Sequence, residues 1–308
     1  MPEAPPTVLD LLAEDRAQAP LRSLGELWAA YAAERAAGRS PFSSAVSVAA
    51  ACDRLGHAFA VGYPAALEHL IPDVELPCAL CATEADGNSP RAIATTLAPV
   101  GPAYVLDGTK TFVTFGSLAK ALIVVARVGQ KPDGRPDLAV VRIPAGRDGV
   151  ILEELPQTPF VPEVPHARVR FQRVEVRSDE RLPGDGYLRY VKPFRTIEDI
   201  HVVGATLGYA VGWARRTGAD SSLIAGLCSD LVALDGLRAF EPLDPRAHVA
   251  LEGVYHGVTA TLSGEAFGRM LEAANEAERE RWARDKTLLS VASKARRARF
   301  ARAIEDIG

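Results

Sequence analysis

Cys81-Ala82-Thr83-Glu84-Ala85-Asp86-Gly87-Asn88-Ser89-Pro90 gathers hydroxyls, amides and carboxylates where a strand-like run ends. It reads as a strand passing into a polar turn, whose donors could receive a phosphate or the polar edge of a flavin. Turns of this composition are also common as plain structure, so both readings stand. Cys78-Ala79-Leu80-Cys81 is a single C-x-x-C with no second ligand pair. It reads as small apolar residues entering a strand rather than as a zinc site. The six histidines (His57, His69, His166, His201, His248, His256) form no H-x-x-x-H pair, so no metal is expected. Lys294, Arg296, Arg297, Arg299 and Arg302 form a basic helix end that complements the helix macrodipole. Phe300 is the one aromatic among them, so a solvated basic face is the preferred reading over nucleic-acid binding. There is no G-x-G-x-x-G after a strand, no Walker loop and no G-x-S-x-G elbow.

The elements that must position these residues change period along the chain. Residues 7 to about 72 are rich in alanine and leucine. Val8, Leu11 and Leu12 form an amphipathic turn. Leu24, Leu27, Trp28, Tyr31 and Ala32 recur at helical spacing, and Ala45 to Phe59 reads as one further helix. From Cys78 to Arg177 short strands follow one another: 79–84, 93–99, 104–106, 110–114, 122–128, 138–143, 150–155 and 167–176. Asp107-Gly108 predicts a hairpin turn, because such turns need positive φ. The Pro-rich stretch 156–165 reads as a loop at the sheet edge. From about Tyr187 the helical period returns, over 197–211, 222–240, 248–274 and 275–306. Gly204 and Gly208 would let a neighbouring helix approach closely. Helices, then an all-β block, then helices gives an α+β class: an N-terminal helical domain (1–77), a middle antiparallel β-barrel (78–180) and a C-terminal helical bundle (181–308).

Bulk properties narrow the function. The 308 residues allow two domains or one large one. A composition of 48% hydrophobic and 24% charged residues is globular. Thirty-five basic against 39 acidic residues leave a charge of −4, which disfavours a globally basic nucleic-acid binder. No run of about 18 apolar residues exists, so no membrane span is expected. Met1 to Pro6 carries no basic or apolar leader, so a secretory signal is not expected. Four cysteines are too few for a disulfide scaffold, and a reduced, cytoplasmic setting is the expectation.

Two linked motifs carry a family resemblance. Cys81 to Ser89 follows C-x-T-E-x-x-x-x-S, and Gly108-Thr109-Lys110-Thr111-Phe112-Val113-Thr114-Phe115-Gly116 follows G-x-K-x-(W/F)-(I/V)-T-x-G at a matching interval. The strands 121–128 and 171–176, Leu182-Pro183-Gly184-Asp185-Gly186-Tyr187 and the helix from Ile197 to Ala210 also fit. The chain resembles the acyl-CoA dehydrogenase family over roughly residues 43 to 300, chiefly over 78 to 215. The resemblance implies FAD between barrel and bundle. It places Leu80, Ala82, Thr83 and Ser89 at the flavin ring by backbone and hydroxyl hydrogen bonds, with Phe112, Val113 and Thr114 flanking it. Phe112 stands where the family usually has Trp; the lesser, alternative reading is a plain barrel-core aromatic.

The family reaction is α,β-dehydrogenation of an acyl thioester of CoA or a carrier protein, in which a carboxylate takes the α-proton and the flavin takes the β-hydride. An electron-transfer flavoprotein is the implied acceptor, homo- or hetero-oligomers the implied state, and fatty acid metabolism the implied setting. The base needs burial enough to raise its pKa. In one branch it precedes the last helix, where Arg284-Asp285 is kept but Ser293 stands at the glutamate position. In another it opens the first C-terminal helix, which places Glu198 as base. Glu198 also reads as a plain first-turn acid, beside Thr196-x-x-Asp199 as a capping box. Asp199 and His201 are weaker candidates because they point elsewhere. Thr217 to Ser221 replaces the family's Arg-x-x-Phe-Gly, and Glu272 to Glu276 replaces its Gly-Gly-x-Gly. These replacements motivate an alternative: a non-catalytic or half-site subunit of a heteromeric dehydrogenase.

Overall fold

A computed structural model describes Val8 and residues 20–308. Leu11 and Leu12 lie outside the described residues; Val8 is helical and buried. Contact density divides the chain into two compact units. One is helical (Met1–His69, Pro159–Val161, Thr196–Gly308) and therefore combines the first and last helical segments. The other, Leu70–Thr158 with Pro162–Arg195, holds the sheet. Together they make the expected mixed α+β architecture.

The helical unit starts with α1 (Leu24–Ala36), α2 (Pro41–Ala50) and α3 (Leu55–Leu70). Ser23 and Glu26 form a capping box on α1: Ser23 Oγ accepts from Glu26 N–H at 3.3 Å, and Glu26 Oε2 accepts from Ser23 N–H at 3.1 Å. Ser40 caps α2, with Pro41 in its first turn. The single helix expected over 45–59 is thus two, broken at residues 51–54. After the sheet come α4 (Lys192–Arg216), α5 (Ser221–Leu237), α6 (Pro245–Ser263), α7 (Glu265–Ala273), α8 (Glu276–Asp285) and α9 (Ser293–Ile307). Gly264 separates α6 from α7 inside the stretch that periodicity reads as one helix. The close neighbour of Gly204 and Gly208 is α2. A Cβ on Gly204 would sit 2.3 Å from the Phe42 ring, and one on Gly208 2.5 Å from the Val46 carbonyl. Only glycine admits backbones that near.

The sheet has seven strands: β1 (Cys78–Cys81), β2 (Thr96–Val100), β3 (Ala103–Thr114), β4 (Ala121–Gln130), β5 (Pro136–Pro144), β6 (Val150–Glu154) and β7 (His166–Val176). Its order is β1-β4-β2-β3-β7-β6, with β5 also on β4. Two expectations are corrected. The sheet is an open half-barrel, not a closed antiparallel barrel, and β1 runs parallel to β4. The β6 edge exposes Glu153 and Glu154, charges that discourage further pairing. Asp107-Gly108 makes no hairpin: β3 runs straight through it, with a register shift between Leu106 and Gly108 against β7. Gly108 has φ +147° and a Cβ there would lie 2.5 Å from Thr95 Oγ1, so glycine serves a bulge instead. The hairpin turn falls at Gly101-Pro102, between the paired Val100 and Ala103.

Candidate functional site

The site candidates in the sheet unit are sorted by strand alternation. Ala79 and Cys81 of β1 point into the core beside Leu106, Val113, Leu122 and Val124. Leu80, between them, therefore faces the other way, as do Phe112 and Thr114 on either side of Val113. Val113 itself is fully buried, so its backbone is what it can offer a ligand. The Cys81 thiol is pushed up to about 12 by burial, which makes it inert packing rather than a ligand.

A buried ion pair, which sequence reasoning passed over, joins the two motifs. Lys110 is fully buried, and its Nζ donates to Glu84 Oε1 and to the Val125 carbonyl, each at 2.6 Å. Glu84 also accepts from the Ala94 amide at 2.8 Å and the Thr95 amide at 3.1 Å. Burial by itself raises the Glu84 carboxyl, but the Lys110 hydrogen bond and charge, with those amides, outweigh it and hold the group below its ordinary range. The clamp ties the turn after β1 to β3 and β4. Within that turn, Glu84 and Gly87 exchange two backbone hydrogen bonds at 2.9 and 3.0 Å, and Gly87 has φ +105°. Thr83 O accepts from Thr111 N–H at 2.9 Å, which binds the turn's entry to β3 next to Phe112. The signal for the clamp was present in the motifs, since Glu84 and Lys110 are both fixed letters of the two patterns.

Phe112 is 46% exposed, not a core aromatic. Its ring stacks on His166 at 4.1 Å between centroids and 26° between planes. His166 was not a candidate on sequence, because its proximity comes from the pairing of Thr114 with His166 across β3 and β7. Burial lowers the His166 pKa, against a backbone hydrogen bond that raises it, so the ring is neutral at pH 7. Among the described residues, the hydroxyls of Thr83, Ser89 and Thr114 are engaged by no protein group. An exposed aromatic plate on β3 and uncommitted hydroxyls on β3 and in the turn after β1 are groups of the kind that a flat, polar-edged ring requires.

The helical unit holds the candidate base. Glu198 is partly exposed on α4. The capping-box explanation for its neighbourhood does not hold. A π-turn (Tyr187–Val191) precedes α4, so Thr196 and Asp199 lie inside the helix. Thr196 Oγ1 instead meets His248 Nε2 at 3.3 Å. Asp199 is buried and ion-paired with Arg299 of α9; burial pushes its carboxyl up to about 6 against the pull of Arg299 and Arg296. His201 is buried against Phe42 and His69, and its Nδ1–H donates to the Ile197 carbonyl at 2.8 Å. Burial drives its pKa down to about 3, which marks a neutral core histidine. Asp285 is fully buried, accepting from Val161 N–H at 2.7 Å and paired with Arg284. That explains why the Arg-Asp pair is present without making it a base. No described group of three His, Cys, Asp or Glu is placed to hold a metal, and no described helix is long and apolar enough to cross a membrane.

Comparison with known proteins finds similarity both in sequence, over part of the chain, and in fold. Residues 79–174 match the family described as acyl-CoA dehydrogenase, middle domain. The probable acyl-CoA dehydrogenase FadE10 of Mycobacterium bovis and of Mycobacterium tuberculosis is 30% identical over 107 residues, 34% of this chain. That match spans 16% of the length of those relatives. A crystal structure of an FAD-dependent dehydrogenase superposes with TM-score 0.65 at 17% identity, over 86% of this chain and 84% of that one. Butyryl-CoA dehydrogenase from Megasphaera elsdenii gives 0.62 at 15% identity, over 89% and 84%. These likenesses establish the fold. Through residues 79–174 the chain resembles the acyl-CoA dehydrogenase family.

Proposed function

We propose that the chain is an FAD-dependent oxidoreductase that removes two hydrogens across the α,β bond of an acyl thioester, carried by CoA or a carrier protein. The observation that carries this reading is the exposed Phe112 plate with the uncommitted hydroxyls of Thr83, Ser89 and Thr114. Bound FAD supplies the hydride acceptor. Thr83, Ser89 and Thr114 donate to the polar edge of its ring, and the backbones of Leu80, Ala82 and Val113 add contacts. Phe112, backed by His166, forms the apolar wall. The Glu84–Lys110 pair is a positioning element that keeps the turn in place. Glu198 takes the α-proton; with the capping explanation removed, no cap accounts for an acid at that point of α4. An electron-transfer flavoprotein or similar acceptor takes the electrons onward. The setting is cytoplasmic fatty acid metabolism, with the chain in three domains and acting in an oligomer.

The test is to purify the chain and measure flavin absorbance with and without added FAD, then bleaching by acyl thioesters. A yellow protein that a thioester bleaches supports the reading, and a colourless chain that takes up no FAD overturns it. The second reading is a non-catalytic subunit of a heteromer. It is favoured by Ser293 at the family's other base position and by Asp220, which caps α5 through Ser222 N–H at 2.7 Å where the family carries a cofactor-side motif. FAD uptake only after mixing with a longer dehydrogenase chain would select it.

A further inference from the structure

The helical unit contains a cavity of about 520 Å³, lined by none of the flavin-side or base residues assigned above. Its walls come from α4, α6, α7, α8, the turn Lys286–Ser290 and α9. Val203, Val258, Leu262, Phe267, Leu271 and Trp282 make most of it apolar. The lining along α6 starts at Glu252 and passes Leu262. At about 1.5 Å rise per residue, those two positions are separated by roughly 15 Å. The cavity is therefore elongated, and its two ends differ in chemistry.

At the Glu252 end, Arg296 of α9 lies over the Tyr255 ring, 3.1 Å from guanidinium carbon to centroid. Its Nε–H donates to Glu252 Oε2 at 2.9 Å. Arg296 is 6% exposed and lines the cavity, yet its guanidinium has no hydrogen-bond partner among the described residues beyond the Nε–H bond to Glu252, and Nη1 itself is sealed from solvent. A buried charged donor without an acceptor is costly, and an oxyanion is the group that would complete it. The other charges around the cavity favour an anion. Asp199 and Glu252 offset Arg299 and Arg296 pairwise. Lys286 and Arg297, which also line the cavity together with His256, have no ion-pair partner among the described residues. A neutral alkyl compound would leave the Arg296 guanidinium unmet, and a small polar anion would leave the apolar walls uncovered. A chain that is apolar along its length and anionic at one end meets both demands.

We propose that this cavity binds a free straight-chain carboxylate of medium length. The carboxylate accepts from the open edge of the Arg296 guanidinium, with Lys286 and Arg297 adding attraction, and the alkyl chain lies along Val258, Leu262 and Phe267. The site is separate from the proposed oxidation and stands whether or not flavin is bound.

Calorimetric titration of the full chain with decanoate tests it, with intrinsic tryptophan fluorescence, to which the cavity-lining Trp282 contributes, as a second readout. Saturable one-to-one binding is expected, with decanol and acetate each weaker by about tenfold or more. Gly268 lines the cavity, and a Cβ there meets nothing within 4 Å. Gly268→Leu therefore starts from a Cβ in open space at the cavity wall, and it replaces a helix-interior glycine. It should weaken decanoate at least about tenfold while the protein stays folded. Lys286→Gln and Arg297→Gln, both exposed, should each weaken it about threefold, less at high salt. Absence of saturable decanoate binding overturns the proposal, as does decanol binding as tightly as decanoate. Unchanged affinity in folded Gly268→Leu also overturns it. If Gly268→Leu does not fold, the Lys286→Gln, Arg297→Gln double variant decides, and unchanged affinity at low salt overturns the proposal.

Discussion

Each unit buries ion pairs, and they are finished differently. In the sheet unit, backbone groups complete the Glu84–Lys110 pair: two amides donate to Glu84 and one carbonyl accepts from Lys110. In the helical unit, Asp199–Arg299 and Glu252–Arg296 join three helices, but Arg296 Nη1 and Arg299 Nε have no partner. The consequence is visible in the acids. Glu84 is held below its ordinary range, while Asp199, whose burial outweighs its arginines, is pushed up to about 6. A buried pair completed by backbone groups acts as a clamp; one completed by side chains alone keeps capacity for something else.

The largest expected effect concerns chemistry rather than stability. Glu198→Gln should lower thioester-driven flavin reduction by about 10²–10⁴-fold with flavin binding kept, as stopped-flow absorbance would record. Unchanged reduction would remove Glu198 from the mechanism and leave the helical unit without a base. Next, Lys110→Met strands the Glu84 carboxylate among buried groups. It should cost about 3–5 kcal/mol in urea unfolding, and flavin retention should fall with it. A cost near zero would show that the clamp does not differ from the helical pairs. Phe112→Ala should weaken FAD by a smaller amount, about 1 kcal/mol by fluorescence titration, since one exposed ring face is lost.

The smallest effects are in pH dependence, and they have opposite signs in the two units. The folded pKa of Glu84 is lowered from 4.5. Its stabilisation is thus present above that value and is lost as pH falls through the folded pKa. Asp199 is raised from 3.8 to about 6, so its contribution is present below 3.8 and lost as pH rises through about 6. Glu84→Gln should therefore flatten the acid limb of a stability–pH curve, and Asp199→Asn the limb between about pH 4 and 6. Identical curves for the two variants would erase the contrast.

Legibility followed the same division. The Cys81–Ser89 and Gly108–Gly116 motifs specify a turn and a strand, and the two sit side by side in the sheet unit. The Glu84–Lys110 bond is the contact behind that spacing. The Gly204–Gly208 approach was likewise readable, since four-residue spacing puts both on one helix face. Asp107-Gly108 misled because positive φ serves a bulge as well as a hairpin, and the choice depends on what pairs with the strand. Thr196-x-x-Asp199 misled because the helix starts earlier than a local pattern can tell. His166 and Arg296 gave no local signal: their neighbours Phe112 and Tyr255 are distant in sequence.

The sequence by itself determined the order of helices and strands, the α+β class and the strand-and-turn pair that marks the family, because periodicity and turn chemistry act over a few residues. Only the tertiary structure decided that the sheet stays open, that Phe112 faces outward on His166, and which acids are spent on arginines. Strand pairing and charge burial join residues tens of positions apart, and their energies depend on what lies between the groups rather than on the letters beside them.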